Sequence, residues 1–381
     1  MTLNNLLFFL GGATAPSFLI AFLATYLLRR LAPRWGLVDH PNQRKVHTTP
    51  TPLGGGIGIW LGVVATFAAG QLVLLLAFPG RPLAALAPAF AQAHLNGIWQ
   101  QSAKLWILLG AGTILMLVGL LDDRRGLAWQ LRLLIQFLVA GACVWLVKNL
   151  QLTAFLSAPL FTEALTVLWI VALINSFNML DNMDALSGGV AAISAAVLVA
   201  VMLLAPNPEG AHPQLFVAGL LLVLLGAILG FLCHNRPPAA IFMGDAGSYF
   251  IGFIIAVATL LASYAGYHAE TMGRRHAILA PLCVMAVPLY DMITVILIRL
   301  RAGNSPFRPD KNHFSHRLVD LGLTKPQAVL TVYLTSATCG LGAILLHRVD
   351  AVGAMIVMMM IGCILSLIGI LEVTARRTIK K

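Results

Sequence analysis

The sequence predicts an all-α polytopic membrane protein with about ten to eleven spanning helices and its polar chemistry gathered on one face. Three observations carry that expectation. Of the 381 residues, 59% are hydrophobic and only 10% charged, with a mean hydropathy of +0.88. Soluble domains carry about 25% charged residues, so this chain cannot cover a water-facing surface. The apolar residues also fall into long runs rather than alternating short ones. A bilayer core needs roughly 20 apolar residues per helix, and 381 residues hold about ten such spans. A soluble enzyme, a secreted disulfide scaffold and a single-pass receptor are excluded.

Apolar runs place helices at about 6–31, 56–78, 105–121, 130–147, 164–180, 186–205, 214–232, 247–265, 278–299, 328–346 and 353–373. The first run continues from an amino terminus without a basic segment, so it reads as a spanning helix and not as a cleaved leader. Two stretches are too polar or too short to span and read as loops or surface-lying pieces. They are 81–103, with Pro82, Pro88, Gln92, His94 and Asn96, and 149–163. No internal repeat is apparent, so residues 1–381 read as one domain. The five cysteines form no CxxC pair, which gives neither a disulfide framework nor a zinc site.

The net charge of +11 comes from 25 Lys and Arg against 14 Asp and Glu. In a membrane protein this sets topology rather than binding nucleic acid. Assigning loops alternately to two sides puts 19 basic residues on the side of the 32–55 loop and 6 on the other, so the first side is cytoplasmic. Nine of the ten Asp fall on that same side, with only Asp350 opposite. Acidic residues have little say in topology, so their clustering points to a shared cation or phosphate site.

Five motifs emerge there. In GLLDDRRGL, Asp122 and Asp123 repel one another unless a cation neutralises them. On a helix they diverge by about 100°, so one holds a metal while the other faces substrate or a supporting partner. In NSFNMLDNMDALSGG, Asn175, Asn178, Asp181 and Asp184 recur every third residue, which on a helix makes one polar face. Gly188 and Gly189 would let the backbone bend or approach a ligand. In HNRPPAAIFMGDAGS, Asn235 precedes Asp245 by ten residues and glycines leave that carboxylate accessible. Asp291, inside an apolar helix, needs a polar partner in the bundle. RLRAGNSPFRPDKNHFSHRL brings Arg299, Arg301, Arg308, Lys311 and Arg317 together with His313 and His316, groups suited to phosphate oxygens. DHPNQRKVHTTPTPLGGG offers Arg44, Lys45 and His47 before Gly54–Gly56, whose amides could face an anion. Carboxylates, amides, basic residues and imidazoles on one surface suit a phosphorylated substrate with a hard divalent cation.

Taken in order, these five motifs resemble the polyprenyl-phosphate N-acetylhexosamine-1-phosphate transferases, the WecA-type and MraY-type enzymes. The resemblance extends from about Asp39 to Leu323 and favours the WecA-like branch. It implies a bacterial inner-membrane, multi-pass enzyme with a cytoplasmic active site and Mg²⁺ as cofactor. The reaction implied moves N-acetylglucosamine-1-phosphate, or a related N-acetylhexosamine-1-phosphate, from a UDP-sugar to undecaprenyl phosphate and releases UMP. That is the first membrane step of a cell-envelope polysaccharide such as lipopolysaccharide. The implied partners are undecaprenyl phosphate, a UDP-N-acetylhexosamine and membrane lipids, with a homodimer left open and no nucleic acid. Carried over by position, Asp245 and Asp122 are the metal residues. Asp122, Asp123, Asp181, Asp184 and His316 are the catalytic set. Lys45, Arg44, His47, Asn178, Asn235, His313 and Arg308 face the substrates.

Two departures stand out. Asn182 and Ala185 occupy positions where the family often has Gly, and Ser315 stands where it often has His. They bear on sugar and uridine contacts more than on the metal. The rival readings are the phospho-MurNAc-pentapeptide transferases of peptidoglycan synthesis, and an ion-coupled transporter, which would need polar residues on both faces.

Overall fold

The computed structural model describes residues 2–41, 49–77, 95–147, 150–152, 158–204, 214–268, 275–308 and 310–379. Thirteen α-helices run in chain order through them. The first eight are α1 (Leu3–Leu31), α2 (Gly55–Ala77), α3 (Leu95–Arg125), α4 (Trp129–Leu146), α5 (Pro159–Leu180), α6 (Leu186–Leu204), α7 (Leu215–Asn235) and α8 (Gly244–His268). They are followed by α9 (Ala280–Val284), α10 (Ala286–Arg301), α11 (Phe314–Asp320), α12 (Lys325–Leu346) and α13 (Ala351–Ile379). Strands β1 (Val38–Asp39) and β2 (Thr51–Pro52) pair antiparallel and are the only sheet among the described residues. Among the described residues ten helices are long and apolar enough to cross a membrane. The short turn before α9 with α9, and then α10, meet the same criterion together across a 66° bend, which gives ten or eleven spans. The chain is a multi-pass α-helical membrane protein.

Helix positions follow the apolar runs, with three corrections. The run 278–299 is not one helix but is broken between α9 and α10 by a 66° bend. Helix α3 begins at Leu95, so residues 95–103 are helical and not loop. Their Asn, Gln and Ser side chains extend a spanning helix past its apolar stretch, where water satisfies them. Likewise α5 begins inside the stretch 149–163, with Pro159 in its first turn, where a missing N–H costs nothing. Residues 81–94 lie outside the described residues.

The bundle is built around α8. Its spanning stretch is 94% buried, against 11% for α1 and 17% for α4 and α13, so α8 is the axis and the others are rim. It packs on α2, α3, α5 and α7. Between lipid-soluble helices there is no hydrophobic driving force, so close approach of backbones has to supply the packing. At Gly119 of α3 an added Cβ would lie 2.4 Å from the backbone of Asp245, and at Gly56 of α2 only 2.1 Å from Gly247. These two glycines let α2 and α3 touch the start of α8. Indole hydrogen bonds add to this: Trp60 donates to Thr113 at 2.9 Å and Trp169 to Thr259 at 3.0 Å. Rim helices instead expose Leu, Phe, Trp and Met toward the bilayer.

Candidate active site

Every α-helix starts with backbone N–H groups that its own turns cannot satisfy. At the start of α8 they are satisfied by carboxylates from elsewhere. Gly244 N–H donates to Asp181, Asp245 N–H to Asp123 Oδ1 at 2.9 Å, and Ala246 N–H to Asp123 Oδ2 at 3.2 Å. The helix dipole favours both anions there. Gly244 itself is left-handed, at φ +73°, and a Cβ on it would sit 2.5 Å from Asp123 Oδ2. Only glycine lets this carboxylate in.

The same short stretch draws in the other residues. Asn178, on the last turn of α5, donates to Asp245 Oδ1 at 2.6 Å and to Ser248 at 3.1 Å. Asp122, buried at 8% exposure, lies within hydrogen-bonding reach of the Asp245 carboxyl group. Its Oδ1 accepts Leu127 N–H at 2.6 Å, and its Oδ2 accepts Arg132 Nη1 at 2.5 Å and Tyr249 OH at 3.4 Å. Arg132 also comes within 3.6 Å of Asp245 Oδ2. Asp122 and Asp123 therefore diverge as adjacent helical residues must, one toward Arg132 and one toward the α8 amides. Burial pushes the Asp181 carboxyl up to about 8, and Asp123 and Asp184 nearby push the same way. Four carboxyl groups thus share one guanidinium, and two of them touch.

That donor set fits a hard cation held by one or two carboxylates, with water and phosphate completing its shell. It does not form a complete protein cage: among the described residues no group of three or more His, Cys, Asp or Glu is arranged as a metal shell. Asp123 is committed to two amides, and Asp122 to an amide and a guanidinium. Asp245 Oδ2 has the Arg132 guanidinium at 3.6 Å, beyond hydrogen-bonding distance.

The second motif differs from one polar helical face. Helix α5 ends at Leu180, so Asp181 and Asp184 leave on a turn. Asn175 points back into the bundle and donates to Gln136 at 2.6 Å, away from the carboxylates. Asp184 Oδ2 accepts Ala239 N–H at 3.0 Å. Asn235 accepts Ala185 N–H at 2.9 Å and donates to Ile241 at 2.8 Å, so it ties the second motif to the third. Ala185 sits at φ +62°, the left-handed region where glycine is at ease, which explains the family's preference there. Gly189 makes room for Tyr333, not for a ligand, since a Cβ would meet its hydroxyl at 1.9 Å.

The glycines of the 39–56 segment also play another part. Gly55 N–H donates to Phe242 and Gly56 N–H to Met243, both at 2.9 Å, so these amides pair with carbonyls instead of cradling an anion. They tie the segment to the residues just before Asp245. Arg44, Lys45 and His47 lie outside the described residues.

The basic loop is mostly internally paired. Arg299 grips Asp310 with two nitrogens, at 3.0 and 3.1 Å. Burial works against ionised Asp310, yet the bonds from Arg299 and Asn312 hold it at about 2. Arg317, at 3% exposure, lies 3.1 Å from Glu372 and donates to Thr294. Both guanidiniums are structural and withdrawn from any phosphate. Arg308 is exposed and bonds Asn304 on its own loop. His313 is buried, with its Nδ1 3.0 Å from Asp291 Oδ2, while Asp291 Oδ1 accepts Phe314 N–H at 2.5 Å. That answers the need of an intramembrane carboxylate for a partner. His316 is only partly buried, and its imidazole is lowered to about 4 by burial, with His313 and Lys311 adding. It is neutral at pH 7 in the free protein, so it can offer an N–H but not a standing positive charge. Ser315 hydroxyl donates to Asn182 Oδ1 at 2.5 Å, so two of the positions that depart from the family pattern are partners. The bond also brings α11 against the carboxylate turn.

All five motifs are therefore linked by hydrogen bonds around the start of α8. Arg132 and Tyr249 are the members that sequence reasoning missed. The available signal was Gly126, at φ +67°, which reverses the chain and turns the next helix back toward Asp122.

Comparison with known proteins gives the family. The model of glycosyl transferase family 4 matches residues 105–263, the stretch that holds Asp122, Asp123, Asn178, Asp181, Asp184, Asn235 and Asp245. A Bacillus subtilis (strain 168) protein described as a probable undecaprenyl-phosphate N-acetylglucosaminyl 1-phosphate transferase is 32% identical over 339 residues. The alignment covers 87% of this chain and 83% of that one. The chain belongs to this transferase family. The decaprenyl-phosphate N-acetylglucosaminephosphotransferase of Mycobacterium tuberculosis (strain ATCC 25618 / H37Rv) is 34% identical, with 88% of this chain and 81% of its own covered. The undecaprenyl-phosphate alpha-N-acetylglucosaminyl 1-phosphate transferase of Escherichia coli O157:H7 is 30% identical, with 84% and 79% covered.

Proposed function

We propose that this membrane enzyme transfers N-acetylglucosamine-1-phosphate from UDP-N-acetylglucosamine to undecaprenyl phosphate, releasing UMP, at the cytoplasmic face of a bacterial inner membrane. The observation that carries it is the convergence of Asp122, Asp123, Asp181 and Asp245 on the start of α8 with, among the described residues, a single guanidinium in contact with them. Two carboxylates in contact cannot both ionise without a counter-cation. A site built this way suits an anionic substrate that arrives with its own cation. The relatives' names supply the acceptor class and the sugar. The 19 to 6 split of basic residues supports the cytoplasmic orientation.

Mg²⁺, held by Asp245 with Asp122 or Asp181, would neutralise the donor diphosphate and stabilise the departing UMP. The chain's own residues position and screen. Asp123 holds the first turn of α8 and thereby the Asp245 carboxylate. Asn178 orients Asp245 through its Oδ1, and Arg132 restrains Asp122. His316, presented by α11, offers an imidazole N–H to a donor phosphate. The attacking group needs little activation, because a phosphate monoester with a second pKa of roughly 6 is largely ionised at neutral pH. Catalysis then rests on alignment and charge screening for an in-line displacement at the donor's β-phosphorus.

The test is purified protein in detergent with undecaprenyl phosphate, Mg²⁺ and a panel of UDP-sugars, reading UMP release. Turnover with UDP-N-acetylglucosamine that stops in EDTA supports the reading. Release from UDP-MurNAc-pentapeptide alone would move the chain to the peptidoglycan branch. No release from any donor would overturn the proposal.

A further inference from the structure

Away from the carboxylates, on the outer side of α1 and α7, lies a groove of about 640 Å³. Phe22, Leu229 and Leu232 line its apolar part, and it runs up to Arg29 and Arg236. A second recess of about 430 Å³ shares those two arginines and continues under Pro237 and Pro238. The same offset separates the two kinds of residue along α1 and at the end of α7, where Arg236 is the residue just past the helix. Phe22 precedes Arg29 by seven residues, and Leu229 precedes Arg236 by seven. Seven residues are nearly two turns and roughly 10 Å of rise, so each arginine stands above its apolar partner on one face. The rings of Phe22 and His234 meet at 4.6 Å and form the floor. His234 Nε2 faces the Phe22 carbonyl at 3.1 Å, which leaves Nδ1 to accept from Arg29 Nη1 at 3.5 Å. Arg29 is thereby positioned without being neutralised. Among the described residues neither recess is lined by a carboxylate and neither arginine forms an ion pair.

We infer that this groove binds an anionic phospholipid of the surrounding bilayer, with its acyl chain along Phe22, Leu229 and Leu232 and its phosphate between Arg29 and Arg236. An apolar shelf about two helical turns below a pair of guanidiniums matches the depth from acyl chain to phosphate in a lipid leaflet. A neutral headgroup would leave two unpaired cations without a counter-charge. The sugar-phosphate acceptor is the wrong occupant, since its phosphate has to reach Asp245, and no residue of the carboxylate cluster lines the groove. The inference stands independently of the transferase reaction.

The experiment is native mass spectrometry of the full chain in detergent, titrated with phosphatidylglycerol or phosphatidylcholine of matched acyl chains. Phosphatidylglycerol should be retained in clear preference. A basic residue near a membrane surface contributes roughly a fivefold effect, so Arg29→Gln with Arg236→Gln should weaken phosphatidylglycerol retention about twenty-five-fold. Leu229→Trp, which fills the shelf and keeps the charges, should weaken it as well, and it decides the matter should the double variant fail to fold. Arg301→Gln, an exposed arginine elsewhere, should leave retention unchanged. Equal retention of the two lipids, a loss in Arg301→Gln as large as in the double variant, or full retention in Leu229→Trp would overturn the inference. So would undecaprenyl phosphate displacing phosphatidylglycerol from the parent but not from the double variant.

Discussion

Replacing Asp123 separates holding from chemistry. Its two oxygens accept the N–H groups of Asp245 and Ala246, at 2.9 and 3.2 Å. A hydrogen bond to a charged partner contributes about 1.5–3 kcal/mol, so Asp123→Ala removes about 3–6 kcal/mol gross. Losing a charge relieves repulsion from Asp122, Asp181 and Asp245, which returns part of that. A net cost of about 2–4 kcal/mol remains, large against the usual effect of one substitution. Asp123→Asn keeps the shape and one acceptor oxygen, and should cost about half as much. The first turn of α8 carries Asp245, so a shift of about 1 Å there should lower turnover about a hundredfold. Thermal melting in detergent reads the first effect and UMP release the second. An Asp123→Ala protein that melts within a degree of the parent would show that these amides do not depend on Asp123, and the holding role would fall.

Four further outcomes are expected. Asp245→Ala should cut UMP release by orders of magnitude while leaving membrane insertion and melting near the parent, because it sheds crowded negative charge; activity close to the parent would take Asp245 out of the metal site. Arg132→Gln removes the one guanidinium from the cluster, so melting should fall by several degrees in EDTA and recover in Mg²⁺, and equal losses in both would count against a shared cation role. Ala185→Gly relieves a left-handed alanine and should raise stability by up to about 1 kcal/mol, a gain that a lower melting temperature would contradict. His316 titrates near 4 when folded and near 6.5 when unfolded, so between those values the unfolded chain binds the extra proton. Stability should therefore be lost as pH falls through 6.5 toward 4, and His316→Gln should narrow the melting gap between pH 7 and pH 5; an unchanged gap would show that another group sets it.

The helices were legible because a bilayer demands long apolar runs, and each run became one helix except 278–299, which is broken by a 66° bend. The residue types of the site were legible too, since carboxylates at the mouths of apolar helices have little other reason to be there. What the sequence hid was partnership. The basic motif looked like a phosphate cradle, yet Arg299 and Arg317 are spent on Asp310 and Glu372. One of those acids lies eleven residues away and the other fifty-five, and nothing in the spacing announces either. Arg132 reads in the sequence as one more topology-setting charge for the same reason: its role depends on the turn at Gly126. The Asn175 to Asp184 spacing suggested one helical face, but α5 stops at Leu180 because the next residues are satisfied by other segments.

Those partners explain why scattered motifs recur in one order. Helix α8 offers three unsatisfied amides and a positive dipole end in the middle of the bundle, where burial leaves water little access. Asp123 and Asp181 satisfy them, which pins α3 and the turn after α5 to one point. Asp245, on the first turn of the same helix, is then held among carboxylates that resist it. Gly244 and Gly119 are needed because the backbones and the Asp123 carboxylate meet closer than a Cβ allows. Folding thus spends the dipole on assembling a cluster in which, among the described residues, four carboxyl groups meet one guanidinium, a shortage of positive charge that the proposed cation-bound substrate would relieve. A bundle that filled the α8 cap with its own serine would be easier to fold and would have no use for the substrate.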